Sequence, residues 1–346
     1  MAANPRWTRR PEGSTWGDFG ADDQLGRLNL LTPQKVLQGI AEVKAGLAFC
    51  LSLPLDLPGG SKLNPRRWPP QLRPTVRNQR ANFNYPASLE DPALTDVVSD
   101  DTVLMCTQYS TQWDSLAHVG SEFDADGDGK AEVVYYNGWR GHEHVVGPQA
   151  DGGESAARAL GVENMAVKAI QGRAVMLDLE AHFGVERRAV NYDDLMRVLD
   201  ADKVVVEQGD MLCLNTGFGR MLMARNGNPS EHDLHHSYAA LDGRDKRLLD
   251  WITASGIAAL IADNYAVEAV PPNPADDHEH GRGCHPLLPI HEHCLFKLGL
   301  NLGELWYLSE LADWLRAHKR SRFLLTAPPL RLRGAVGSPA TPVGTV

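Results

Sequence analysis

Residues 108–118 read QYSTQWDSLAH, which places Gln108, Gln112, Asp114 and His118 within eleven residues. If the stretch spans a strand end and a turn, that spacing brings four polar side chains around one point. Hydrolytic chemistry needs such convergence. A divalent cation polarises a carbonyl and lowers the pKa of bound water to about 7, and a histidine with a free pKa of about 6.5 moves the proton. On these grounds Asp114 is the natural metal ligand and His118 the natural base, while Gln108 and Gln112 have only weakly specific polar roles. The same residue types also serve as ordinary hydrogen-bonded structure, so the stretch alone does not decide.

Composition narrows the choice. The 346 residues, 43% hydrophobic and 23% charged, suit a folded globular protein with one large core or two ordinary ones. A net charge of −10 argues against a nucleic-acid partner, whose phosphates demand clustered Lys and Arg. The basic cluster Arg316, Lys319, Arg320 and Arg322 is short and reads as a solvated face. No apolar run approaches the roughly eighteen residues of a membrane span, and MAANPRWTRRPEGSTW has no apolar signal region, so a cytoplasmic location is expected. The five cysteines are an odd, widely spaced set; three lie in apolar runs such as LMC and MLCLN and read as small buried hydrophobes in a reducing compartment.

Along the chain, Thr32 before Pro33 is a helix start, and Val36, Leu37, Ile40 and Val43 recur at helical spacing, predicting a helix over 33–45. LAFCLSLPL reads as a strand entering a loop. Residues 54–101 carry eight prolines and little periodicity, which fits a lid or binding loop and equally a surface insertion without a role. Beyond them VLMCTQ, AVMLDL, MLCLNTG and GIAALIAD read as buried strands. NYDDLMRVLDAD reads as a helix with a capping-box start, Asn191 with Asp194. With no repeat and no clear linker, residues 1–346 form a single α/β domain: an N-terminal extension and proline-rich loop over 1–101, then a core over 102–340.

QYSTQWDSLAH resembles the motif His-x-Gly-Thr-His-x-Asp-x-Pro-x-His of the cyclase family, metal-dependent hydrolases that include bacterial kynurenine formamidase and isatin hydrolase. Thr111, Asp114 and His118 match, while Gln108 and Gln112 occupy the two histidine positions. GRAVMLDL at 172–179, GDMLCLNTG at 209–217, GIAALIAD at 256–263 and PLRLRGAVGSP at 329–339 follow in the family's order. A gapless comparison of HEHCLFKLGLNLGEL sets Glu304 on the family's glutamate and Glu292 on its histidine.

The resemblance implies a mixed α/β fold with a β-barrel-like core of mostly antiparallel strands flanked by helices, assembled as a homodimer or homotetramer. It implies a ligand set of Asp114, Glu292 and Glu304, with help from Gln108 and Gln112, for one divalent ion. Oxygen donors suit Mn²⁺ or Mg²⁺ better than Zn²⁺, and Mn²⁺ is the expected occupant. The expected reaction is hydrolysis of a C–N bond in an amide, formamide or cyclic amide of a small molecule, with His118 as base. Lactone or ester hydrolysis on the same site and a non-catalytic ligand-binding protein are the alternatives.

Two other stretches carry site chemistry. DADGDGKAEVVY, residues 124–135, has Asp124, Asp126 and Asp128 at calcium-loop spacing, but Tyr135 stands where a bidentate glutamate belongs, so any Ca²⁺ bound there is weak and a plain turn is favoured. HEHGRGCHPLLPIHEHC, residues 278–294, fits no zinc-finger spacing and reads as an active-site loop, with His285, His291 or His293 as substitute ligands. Trp113, Phe83 and Tyr85 are candidate walls of a substrate pocket.

Overall fold

Apolar runs bounded by Gly or Asp become the strands of one mixed sheet in a computed structural model that describes residues 6–148, 153–271 and 285–346. In chain order they are β1 (Ala48–Cys50), β2 (Gln112–Asp114), β3 (Gln171–Asp178), β4 (Met211–Asn215) and β5 (Ala259–Ala262), followed by β6 (Asn301–Glu304), β7 (Arg322–Thr326), β8 (Gly337–Pro339) and β9 (Val343–Thr345). The order across the sheet is β1-β9-β7-β3-β4-β5-β6-β2-β8. The pairs β3·β4, β4·β5 and β5·β6 are parallel, and the flanking pairs are antiparallel. Parallel neighbours require crossover connections. Those supply α2 (Tyr192–Ala201) and α3 (Lys246–Ser255), while α1 (Pro33–Ala41) and α4 (Ser309–Ala317) lie outside the parallel block. The sheet curls into a half-barrel flanked by helices, a mixed α/β single domain of the expected class.

The central strands are apolar on both faces because both faces are covered. Val175, Leu177, Leu212, Leu214 and Leu260 pack into one buried cluster. Their alternates Ala174, Met176, Met211, Cys213 and Ile261 pack into a second cluster on the other side. Among the described residues, no helix is long and apolar enough to cross a membrane.

Several local expectations hold for stated reasons. The Thr32 side chain accepts from Lys35 N at the start of α1. Asn191 caps α2 by accepting from Asp194 N, but the Asp194 carboxylate turns to Arg188 and Arg197, so only half of the capping box forms. Other expectations are corrected. VLMCTQ is not a buried strand: Asp101–Leu104 pairs antiparallel with Gln71–Pro74, exposed along its length. The proline-rich stretch is a β-ribbon arm, continued by the short ladders Val76–Arg77 with Arg80–Ala81 and Tyr85–Pro86 with Val97–Val98. Cys213 is buried as expected, whereas Cys106 in LMC is only half-buried, because that run belongs to the arm's base.

Candidate metal centre

β2 and β6 run antiparallel with Gln112 opposite Glu304 and Asp114 opposite Leu302. Successive strand residues face opposite sides. Gln112, Asp114 and Glu304 therefore share one face, and Trp113 takes the other. The backbone of β2 is held in place by Trp306 Nε1, which donates to Gln112 O at 3.0 Å, and by Asn301 Nδ2, which donates to Asp114 O at 3.0 Å. Thr111 Oγ1 donates to Leu305 O at 2.5 Å and accepts from Leu53 N at 2.9 Å. Gln108 Nε2 donates to Asp114 Oδ1 at 2.5 Å, and Gln112 Nε2 reaches both Asp114 Oδ1 and Glu304 Oε2 at 3.2 Å. A turn closed by His118 N donating to Ser115 O brings His118 back toward this group.

The histidine-rich segment supplies the next member, and it is not the expected one. Glu292 points away: it lies 3.4 Å from Ser121 Oγ and 3.5 Å from Lys297 Nζ. His291 stands in the site instead, with Nε2 at 3.0 Å from Glu304 Oε1 and 3.8 Å from Asp114 Oδ2. The cause is local. His291 ends a short helix, Pro289–His291, and the chain then enters a π-helical turn, Glu292–Leu298. A π turn holds an extra residue, so counting back from Glu304 without a gap lands one residue late. An imidazole-free cage is thereby corrected to a mixed imidazole and carboxylate group. Of the rest of that segment, residues 278–284 lie outside the described residues, and His293 faces Thr253 Oγ1 at 2.9 Å, away from the site.

Glu268, which the sequence reading missed, fixes His291. Its carboxylate accepts from Ile290 N and His291 N at 3.0 Å each, and from His291 Nδ1 at 2.8 Å. A carboxylate shortly after the end of a parallel strand is a signal that could have found it, since ligand-binding groups gather at the carboxyl ends of such strands.

The electrostatics follow from burial and pairing. Burial pushes the Asp114 carboxyl up, with Glu304 adding like-charge repulsion. Burial pushes His118 below the ordinary imidazole range, which keeps the ring neutral near pH 7. For His291 burial acts downward, but the hydrogen bonds to Glu268 and Glu304 outweigh it and lift the ring to about 10. Glu304 is lowered in turn, because His291 more than offsets burial.

Ligand atoms of Asp114, His118 and His291 all lie within 4.8 Å of one another, which makes them a candidate metal-binding group. Asp114 Oδ2 and Gln112 Oε1 are buried with no hydrogen-bond partner. Unpaired buried oxygens are costly, and a divalent cation is the species this donor set fits. Asp124, Asp126 and Asp128 also cluster, but as a turn: their carboxylates accept from Gly127 N, Gly129 N, Asp128 N and Lys130 N, and Asp124 pairs with Arg9. Glu132 is turned to Arg140 and Ala125 N.

The expected pocket walls are corrected. Trp113 is fully buried in the core, donating to Ala327 O at 2.8 Å and packed edge-on against Trp306. Tyr85 is buried within the arm, its hydroxyl 3.3 Å from Glu90, and Phe83 is exposed there. A small pocket lined by Leu63, Arg67, Tyr109, Tyr265 and Leu305 lies beside the Gln108 backbone, with Arg67 donating to Gln108 O. It leaves about 10 Å³, room for one water.

The Cyclase family model, described as "Putative cyclase", matches residues 51–269. A crystal structure of a novel cyclase is 27% identical, with 96% of this chain and 97% of that chain covered at a TM-score of 0.73. Isatin hydrolase A from Labrenzia aggregata, solved with benzyl benzoate, is 12% identical over 90% of this chain and 97% of its own, TM-score 0.54. Isatin hydrolase A from Ralstonia solanacearum is 13% identical over the same shares, TM-score 0.51. These last two likenesses concern the fold. No curated protein matches the chain.

Proposed function

This chain belongs to the cyclase family, and from that premise we propose that it is a metal-dependent hydrolase of a C–N bond in a small amide, formamide or cyclic amide. The observation that carries the reading is the convergence of Asp114, His118 and His291 beside two buried oxygens that lack hydrogen-bond partners. Asp114, His291 and Glu304 would hold the ion, with Gln112 Oε1 as an amide donor and Gln108 bracing Asp114. Bound there, a divalent cation supplies a Lewis acid for the carbonyl and a means of ionising water near neutrality. The carboxylate and amide oxygens keep Mn²⁺ as the expected occupant, while the His291 imidazole makes Zn²⁺ the alternative to be separated by measurement and disfavours Mg²⁺.

His118 is the least buried of the three and is neutral. It therefore takes the proton from attacking water and returns it to the leaving group. That return makes an amide a competent substrate, since an amine leaves poorly unless protonated. Glu268 sets the His291 ring orientation, as carboxylates do behind metal-bound histidines. We propose in addition that the chain assembles with copies of itself through its arm.

Elemental analysis after growth with added Mn²⁺ tests the reading, together with turnover on amides, formamides, cyclic amides and lactones. Stoichiometric transition metal with chelator-sensitive cleavage of a C–N bond is expected. Substoichiometric metal and no turnover would leave a ligand-binding protein, and turnover of lactones alone would overturn the substrate class.

A further inference from the structure

A cavity of about 410 Å³ opens at the end of β3, and it shares no residue with the metal centre. Its walls include Met176, Val204, Ala312 and Leu315, all buried and apolar. Its rim carries Lys203, Arg316, Lys319 and Arg320. Two of these cations are already engaged: Arg316 pairs with Asp178 and Asp313, and Arg320 binds Glu42 and the Arg322 carbonyl. The ammonium groups of Lys203 and Lys319 have no hydrogen bond or ion pair among the described residues. The carboxylates on the wall are occupied as well. Asp178 accepts from Arg316 and Asn215, and Asp202 lies 2.9 Å from His182 Nε2.

The backbone sharpens the point. Lys203 and Lys319 both have a φ of 53°, the left-handed region that glycine enters more readily than other residues. Each follows a helix C-terminus, where a cation offsets the dipole. That alone would not bring both to one cavity. A second opening of about 320 Å³ shares Lys203, Lys319 and Arg320 and adds Arg322, so the cationic rim continues outward.

We propose that this cavity binds a small organic anion with an apolar body, its carboxylate or phosphate head held by Lys203 and Lys319 and its hydrocarbon part lying on Leu315 and Val204. The volume is that of a small-ligand pocket, where apolar walls supply affinity and a few charges supply orientation. Lys203 and Lys319 thus line one cavity whose carboxylates are already engaged by other side chains.

The test is isothermal titration of the metal-loaded protein with 1-naphthyl phosphate and 1-naphthoate, with inorganic phosphate and neutral 1-naphthol as controls. One equivalent of a naphthyl anion per chain is expected. Removal of the head charge, removal of the ring, or the double substitution K203M/K319M should each weaken binding by about tenfold or more. The stronger of the two naphthyl anions identifies the head group. Circular dichroism and turnover at the metal centre should be unchanged in K203M/K319M, whose side chains are exposed. Equal binding by the double variant, equal binding of inorganic phosphate, or no binding of either naphthyl anion would overturn the proposal.

Discussion

His291 touches two carboxylates at once, Glu268 at 2.8 Å and Glu304 at 3.0 Å, so a single buried ring ties one candidate ligand to the carboxylate behind it. Asp114, Gln112 and His118 were legible because a three-residue strand and the turn after it gather them within one short stretch. His291 and Glu268 were not, because one depends on a π turn and the other on a contact spanning 23 residues. Trp113 misled because adjacency in a strand means opposite faces. Asp114→Ala should lose both bound metal and turnover, as measured by elemental analysis and initial rates. His118→Ala should lose about 10²-fold or more in rate with metal content nearly unchanged. Loss of metal in His118→Ala would move that residue from base to ligand. Glu268→Gln keeps the shape but weakens the brace on His291, so metal affinity should fall by about 10- to 100-fold in a chelator competition. Unchanged affinity would remove Glu268 from the site.

The helices were legible from their N-caps, as α1 and α2 show, although the apolar spacing overran α1, which ends at Ala41 with Leu37 and Ile40 exposed; the arm was not, since its outer ladders are only two residues long and leave no periodic trace. α2 also carries a pH-dependent contribution. Asp194 at its third position is bonded by Arg188 through Nε at 2.8 Å and a second nitrogen at 2.6 Å, which holds the carboxyl below the usual carboxylate range. A depressed folded-state pKa means that the unfolded chain binds its proton first as pH falls. The stabilisation is thus whole above about pH 4 and is lost as pH falls through the folded-state value. Asp194→Asn should cost about 1 kcal/mol in urea unfolding at pH 7, a modest figure because Arg188 is half exposed to solvent. The gap from the parent protein should close below about pH 4. A gap that persists there would show that the carboxylate's charge is not its cause.

At the level of the whole molecule, the order of the strand motifs was readable and gave the architecture, whereas the proposed role of the arm in assembly rests on the apolar surface that it exposes. Leu72 and its cross-strand partner Val103 share one face of the ribbon, and Val76 and Val97 are exposed farther along the arm, with Val76 77% and Leu72 70% exposed. Two-stranded ribbons are marginal in water without a packed face, and contiguous exposed apolar side chains mark association surfaces. A second copy offering the same arm around a two-fold axis would cover both at once. Light scattering after size exclusion should therefore give twice or four times the chain mass of 37.9 kDa. Leu72→Asp with Val76→Asp should shift that mass to the monomer at micromolar concentration, because each carboxylate would be desolvated at the contact. The metal content should survive the change, since Asp114, His291 and Glu304 all come from one chain and none lies on the arm. A parent protein that elutes as a monomer would overturn the role given to the arm while leaving the metal centre intact.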